Sequence, residues 1–365
     1  MTAQRSAVTV RWCGAGLGSR LAMGASSVPV RAMAAPEVTP GGEVVRHDAA
    51  HMASDELTIR PSLPEDRAQV LTVAARSLGW AADVRDLEFF RWKHEDNPAG
   101  ASRAWVAEHD GLVVAFRTFL RWAFAAHGEV LEMAGAVDTA TDPDHQGKGL
   151  FRKLTLRAVD DLTQAGVDAI FNTPNDQSRP GYLKMGWHEL GRPTIGMRPS
   201  SLWRLPILLQ ARTSSEKWSE ACTIGEPAAR ALEDPAVVAL AASIPSAGWS
   251  TPRTASYLAW RYRFEPLHYR AVEAGGGLVI FRVRRRGPAR EVAIVEWLAP
   301  RPDRAALGKL VRAAGDYAVG VGLGARHGLL PLPRKGPIVT WRPLARTAVP
   351  RLGDLAFSLG DLELF

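Results

Sequence analysis

Cysteine is nearly missing from this sequence: of 365 residues only Cys13 and Cys222 carry a thiol, and they lie far apart. That excludes a disulfide framework and a thiolate zinc site, and makes a reducing compartment, the cytoplasm, the simplest expectation. No stretch reaches the roughly 18 consecutive apolar residues of a membrane span, so no membrane partnership is expected. The nine histidines are scattered without HxxxH spacing, and no metal site stands out. Neither sign of charge dominates strongly: 45 Lys and Arg face 38 Asp and Glu, a net charge of +7. The basic residues are spread along the chain with no aromatic–basic platform, which argues against nucleic acid as a partner. A modest positive field would suit a polyanionic cofactor. The densest basic run, Arg282 and Arg284 to Arg286, reads as the solvated tip of a hairpin. What remains is an ordinary globular composition, 46% hydrophobic and 23% charged, long enough for two or three domains. Nothing in it sets an oligomeric state.

Residues 1–54 stand apart. They hold Arg5, Arg11, Arg20, Arg31 and Arg46, no acid before Glu37, and no helical or strand period. A disordered extension is the expectation, with Met52 as a natural start; an Arg-rich, acid-poor leader is the alternative. Gly14, Gly16 and Gly18 follow Val8-Thr9-Val10, but as GxGxG with no βαβ unit after it, which is not a dinucleotide fingerprint.

The body opens with an alternating strand at Leu57–Arg60, then a helix from Pro64 with Glu65 and Asp66 in its first turn, at the positive end of the dipole. A second helix over Leu87–His94 stops before Asn97-Pro98. Strands follow at Ala104–His109 and Leu112–Leu120, joined by Asp110-Gly111, and a third runs from Val130 to Thr141. After a glycine-rich turn, Phe151, Leu154, Ala158 and Leu162 mark a helix, and Val167–Asn172 is another strand. This order predicts an α+β domain on a mixed sheet.

The turn Gln146-Gly147-Lys148-Gly149-Leu150-Phe151 carries the chemistry. Its glycines let backbone approach a ligand, and the helix start offers unpaired N–H groups and a positive dipole end. Such a turn can hold a pyrophosphate, with Lys148 adding charge. It lacks the GKS or GKT ending of a P-loop, and a plain strand–helix connection is the competing reading.

In this context the segment resembles the pyrophosphate loop of the GCN5-related N-acetyltransferase (GNAT) family, Arg/Gln-x-x-Gly-x-Gly/Ala, with Phe151 where the family has Gly or Ala. A second stretch, Asn175 through Tyr182, Lys184, Gly186 and Trp187, resembles the family's Asn…Tyr-x-Lys-x-Gly-Phe segment, with Trp187 for Phe and Pro180-Gly181 in place of a usual helical turn. The resemblance extends over roughly 57–200. It implies a mostly antiparallel GNAT sheet flanked by helices, with acetyl-CoA as co-substrate. It assigns the loop 146–151 to the pyrophosphate, Asn175 to the cofactor arm, and Tyr182 to protonation of the leaving thiolate. Main-chain groups of Thr139, Ala140 and Thr141 are candidates to polarise the thioester carbonyl. Asp138 and Glu132 share parity on one strand, so both are candidate bases on one face; the competing reading is a salt-bridged or surface carboxylate.

The C-terminal half repeats part of the first. Phe89–His94 and Pro98 match Tyr257–Tyr262 and Pro266 register for register, and Gly111-Leu112-Val113-Val114 matches Gly277-Leu278-Val279-Ile280. The strand Val292–Leu298 and a helix at Leu307–Leu310 continue the order. The glycine loop is missing there, replaced by Arg304-Ala305-Ala306, and Gly320, Gly322 and Gly324 read as a helix end and loop. The expected organisation is an extension over 1–54, a catalytic GNAT domain over 55–200, a linker with a helix over 201–250, and a second GNAT-like domain lacking the loop over 251–365. The acidic, apolar C-terminus either frays or docks back, with the Phe365 carboxylate a candidate site group. The expected activity is acetyl transfer from acetyl-CoA to a primary amine of a small molecule or amino sugar. The alternatives are another acyl donor or a non-catalytic acyl-CoA-binding module.

Overall fold

A computed structural model describes residues 57–81, 83–210, 213–345 and 348–363. The segment 1–54 and Phe365 lie outside the described residues. In chain order the first half forms β1 (Thr58–Pro61), α1 (Arg67–Leu78), α2 (Val84–His94), β2 (Arg103–His109), β3 (Leu112–Ala126), β4 (Glu129–Thr141), α3 (Leu150–Gln164), β5 (Ala169–Asn172), α4 (Arg179–Lys184), β6 (His188–Gly191) and β7 (Ile195–Pro199). The second half adds α5 (Leu205–Gln210), β8 (Glu226–Pro227), α6 (Ala228–Ala231), α7 (Pro235–Ser243), α8 (Ala255–Tyr262), β9 (Arg270–Ala274), β10 (Gly277–Arg286), β11 (Ala289–Leu298), α9 (Arg304–Ala314), β12 (Tyr317–Val321), β13 (Leu330–Leu332), β14 (Val339–Pro343) and α10 (Leu359–Leu362).

These strands make two seven-stranded mixed sheets, ordered β1-β2-β3-β4-β5-β14-β6 and β8-β9-β10-β11-β12-β7-β13. The orders are equivalent position by position, and both sheets are antiparallel except at the parallel pairs β4–β5 and β11–β12. The fold is α+β, as the element order predicts. Equivalent hairpins turn on residues with left-handed backbone, Asp110-Gly111 and Gly275-Gly276, the conformation that a tight two-residue connection requires.

One strand of each sheet comes from the other half of the chain. β14 lies between β5 and β6, and β7 lies between β12 and β13. Residues 55–200 and 251–365 thus each lend a strand across, and neither closes its own sheet unaided. Where the halves meet, the repeated tryptophans bond reciprocally: Trp92 Nε1 donates to the Trp260 carbonyl at 2.8 Å and Trp260 Nε1 to the Trp92 carbonyl at 2.7 Å. The repeat read from sequence is therefore a two-fold-like contact inside the largest apolar core.

Three local expectations are corrected. β3 runs on to Ala126, because Trp122 and Phe124 keep burying the same face beyond Leu120. Gly320 sits inside β12, flanked by the β-branched Val319 and Val321, not at a helix end. The basic run is not a solvated tip. Arg282, Arg284 and Arg286 occupy alternate positions of β10 and are buried. Arg284 Nε lies 2.6 Å from Glu291 Oε1, and Arg282 Nε lies 3.3 Å from Glu363 Oε2. Only Arg285 points out, to Glu220. The acidic tail accounts for this: Asp361 and Glu363 are buried, and Arg253 holds Asp361 at 3.1 Å. Of the two readings of the C-terminus, residues up to Glu363 adopt the docked one.

Candidate active site

The site is built on β4. β3 pairs with β4 along its length, but β5 pairs with it only at Met133–Gly135. Beyond Gly135 the two parallel strands diverge, and the far edge of β4 has no strand partner among the described residues. At the same level the β3–β4 register skips one residue: Thr118 opposes Val137 and Arg117 opposes Thr139, leaving Asp138 as a bulge. A bulge bends the strand and re-aims the side chains around it.

The bulge corrects the parity argument for the two carboxylates. Ala134 and Ala136 pack on the α3 face with Leu154 and Leu162, whereas Met133 and Val137 face α2 and the second half. Glu132 shares the first face, is exposed, and has Arg103 3.6 Å away. The extra residue turns Asp138 to the opposite face, against α2. There Asp138 Oδ2 meets Lys93 Nζ at 2.7 Å and His94 Nε2 at 2.8 Å, all three side chains buried. His94 Nδ1 reaches Ser102 Oγ at 2.9 Å. Burial pushes the Asp138 carboxyl up, but the charge of Lys93 and the bonds from both partners prevail and hold it well below the usual carboxylate range. Burial lowers both His94 and Lys93, with Asp138 opposing it.

At the open end of β4, the loop enters α3. Gly147 and Gly149 have φ of +78° and +72°, and a Cβ at either would meet open space, so the glycines serve the backbone conformation and leave the loop surface free. Gly149 is the N-cap of α3; no side chain caps it, and no acid lies in the first turn. The first N–H groups of this 15-residue helix thus face outward beside exposed Lys148, a ready anion site. Gln146 reaches back to the Thr141 carbonyl at 3.4 Å. Leu150 is buried in the core beneath the loop. Thr139 Oγ1 bonds the Phe116 carbonyl at 3.1 Å, and Ala140 packs against α1.

Tyr182 of α4 is buried on the α3 side. Its Oη accepts from Arg117 Nη2 at 2.7 Å, and Arg117 Nη1 donates to the Val137 carbonyl, next to the bulge, at 2.8 Å. Arg117 therefore ties the tyrosine to the bulge. Its guanidinium is buried, rests 4.6 Å from the Phe119 ring centroid, and has no carboxylate partner among the described residues. Burial pushes the Tyr182 phenol up, and Arg117 opposes that. The ring of Phe151 packs edge-on to Tyr182 at 5.3 Å. A Cβ on residue 181 would lie 3.2 Å from Phe151 Cε1, so the Gly at 181 makes room for the Phe at 151. Asn175 Oδ1 accepts from the main-chain N–H of Gln177 at 3.1 Å and of Ser178 at 2.8 Å, which shapes the entry to α4.

Sequence reasoning missed Arg117, Lys93 and His94. A lone arginine inside the apolar run Val113–Leu120 was a legible signal; for Lys93 and His94 the signal lies only in their meeting with Asp138. Among the described residues, no group of His, Cys, Asp and Glu could hold a metal, and no helix is long and apolar enough to cross a membrane.

The sequence profile of the acetyltransferase (GNAT) domain matches residues 58–190. No curated protein matches the chain. Solved structures that it resembles include a GCN5-related N-acetyltransferase from Anabaena variabilis, with 14% identity and a TM-score of 0.54 over 79% of this chain and 73% of that one. A conserved protein from Enterococcus faecalis, described as a probable N-acyltransferase, has 13% identity and a TM-score of 0.56 over 79% and 73%. A GCN5-related N-acetyltransferase from Kribbella flavida has 17% identity and a TM-score of 0.53 over 79% and 72%. At such identities the likeness establishes the fold, and it spans more than either half of the chain. The profile match thus identifies an acetyltransferase (GNAT) domain over residues 58–190 of this chain, on a fold shared with these structures.

Proposed function

We propose that the chain is an N-acetyltransferase that moves an acetyl group from acetyl-CoA to a primary amine of a small molecule. One observation carries this reading: an uncapped glycine loop, an unpaired strand edge and a tyrosine hydroxyl held by a buried arginine converge around the end of β4. The loop 146–151 takes the pyrophosphate through main-chain N–H groups and Lys148. The thioester arm lies along the open edge of β4 near Thr139–Thr141, where main-chain donors polarise the carbonyl. Asn175 is assigned to the cofactor arm in this reading, and its Oδ1 already serves the α4 turn.

The neutral amine attacks the thioester carbonyl, the C–S bond breaks, and Tyr182 gives its proton to the leaving thiolate. Its raised pKa keeps the phenol protonated well above neutral pH. Arg117 then faces the phenolate, a preorganised countercharge that meets the charge only as it develops. Asp138, ionised and held by two partners, is a weak base at neutral pH. Its role in this reading is to fix Lys93 and His94 at the bulge, and the amine's proton leaves through water. Glu132, on the other face, has no part in this step.

We infer one cofactor site. In the second sheet the equivalent helix α9 is already capped: Asp303 Oδ1 accepts from Ala305 N at 3.1 Å and Ala306 N at 2.9 Å. A carboxylate there repels a phosphate. The second half is thus a GNAT-like copy that completes the first sheet and walls the acceptor side. Calorimetry with acetyl-CoA tests the reading: micromolar binding abolished by Gly149→Glu supports it, and failure of the intact protein to bind acetyl-CoA overturns it. Thiol release over an amine panel then separates transfer from mere binding.

A further inference from the structure

The segment 214–220 crosses from the second sheet to the first. Its backbone is bonded to β10: Glu216 N donates to the Arg285 carbonyl at 2.8 Å, Glu220 N to the Val283 carbonyl at 2.8 Å, and Arg282 Nη1 to the Lys217 carbonyl at 3.0 Å. From this strap the Lys217 side chain enters an aromatic cage on the α2 side. Its Nζ lies 3.9 Å from the Phe89 ring centroid, 4.5 Å from Trp218 and 4.8 Å from Trp80. Asp86 Oδ1 closes the cage at 3.3 Å. The cage is one helical turn from the bulge: Lys93 Nζ, which pairs with Asp138, lies 5.6 Å from the same Phe89 ring. Asp86, Phe89 and Lys93 follow one face of α2 at helical spacing.

We propose that this cage is an alkylammonium-recognition site for the acceptor, occupied here by the chain's own Lys217 as a built-in surrogate. The proposal rests on the N-acetyltransferase reading and names its substrate class: a primary amine that arrives as a cation. Three ring faces and one carboxylate favour a cation over a neutral group of the same size. Lys217 can yield the cage without movement of the strap backbone, because its side chain is 30% exposed and Asp86 is its one carboxylate partner among the described residues. Burial lowers the Lys217 pKa, and Asp86 opposes that shift. The arrangement also separates acceptor from product. Acetylation turns the ammonium into a neutral amide, which removes the charge that the cage recognises.

The test uses the full chain without acetyl-CoA. Tetramethylammonium is titrated while the fluorescence of the cage tryptophans is read, with tert-butanol as the neutral isostere. Lys217→Ala is expected to bind tetramethylammonium at least tenfold more tightly than the unsubstituted protein, and Lys217→Ala with Trp80→Ala to lose that gain. tert-Butanol is expected to give no saturable change. A folded Lys217→Ala protein with no gain, or an equal response to tert-butanol, overturns the proposal. The unsubstituted protein supplies a second measurement that needs no variant to fold. Tetramethylammonium should speed reductive methylation of Lys217 several-fold, read by peptide mass mapping, and an unchanged rate overturns the proposal. Because neither measurement involves acetyl transfer, a failed cage leaves the enzymatic reading standing, and a missing activity leaves the cage standing.

Discussion

Arg117→Met is the most informative single perturbation of the proposed chemistry. Methionine approximates the stem of arginine within the apolar wall of Phe119 and Phe151 but removes both hydrogen bonds, to Tyr182 Oη at 2.7 Å and the Val137 carbonyl at 2.8 Å. The first bond has a charged donor, and such bonds contribute about 1.5–3 kcal/mol. That contribution grows as the phenol gives up its proton, so it falls mainly on the transition state. A loss of this size corresponds to a kcat lower by about 10- to 160-fold. KM for acetyl-CoA should change little, because Arg117 does not belong to the loop. The Tyr182 pKa, already raised by burial, should rise further once the opposing guanidinium is gone. Steady-state thiol release across pH measures all three, with thermal unfolding as a check on folding. A folded Arg117→Met protein whose kcat stays within twofold of the parent would refute the coupling of Arg117 to proton donation.

Other expectations come from the same geometry. Tyr182→Phe should lower kcat with little change in acetyl-CoA affinity by calorimetry; equal kcat values would remove Tyr182 from the chemistry. Asp138→Asn removes the carboxylate charge from its buried contact with Lys93, and breaking such a pair costs about 3–5 kcal/mol in denaturant titration; a loss below about 1 kcal/mol would show that the bulge does not depend on it. Asp138 and Glu291 both have lowered folded pKa values, Glu291 held at about 2 by Arg284 and Arg286 against burial. Their contribution is therefore complete above the ordinary carboxyl range and drains as pH falls through it. Stability should start to fall below about pH 6.5, where the unfolded chain protonates histidines that burial keeps neutral in the fold, His94 and His327, and fall more steeply below about 5, and a Glu291→Gln protein should lose part of that lower slope. A chain ending at Ser200 lacks β14, whose Trp341 is buried between β5 and β6. It should give poorly dispersed amide NMR spectra; a well-dispersed monomer would contradict the need for strand exchange.

Much of the first sheet was legible because its signals are local. Alternation, the Asp110-Gly111 turn and the helical spacing of Phe151, Leu154, Ala158 and Leu162 each act within about ten residues. The glycine loop was legible for the same reason, since its work is done by backbone conformation. The second copy was readable from the Phe89–His94 repeat, but not that Trp92 and Trp260 would bond to each other. The parity argument for Asp138 and Glu132 failed at the bulge, whose single extra residue is invisible in composition and reverses the facing of the strand beyond it. The arginine run of β10 failed for a related reason. A charged alternation looks solvated until Glu291 of the neighbouring strand and Glu363, 79 residues beyond Arg284, meet it in the core.

The sequence by itself thus determined the elements from β1 to β5, the loop and the presence of a repeat, all properties of neighbouring residues. The tertiary structure alone decided which strand completes which sheet, which face Asp138 takes, and that Arg117, Tyr182 and Val137 form one unit. Those outcomes depend on groups far apart in the chain competing for buried hydrogen bonds and charge partners. Burial makes an unpaired polar group costly, and the fold settles that competition only when all the partners are in place.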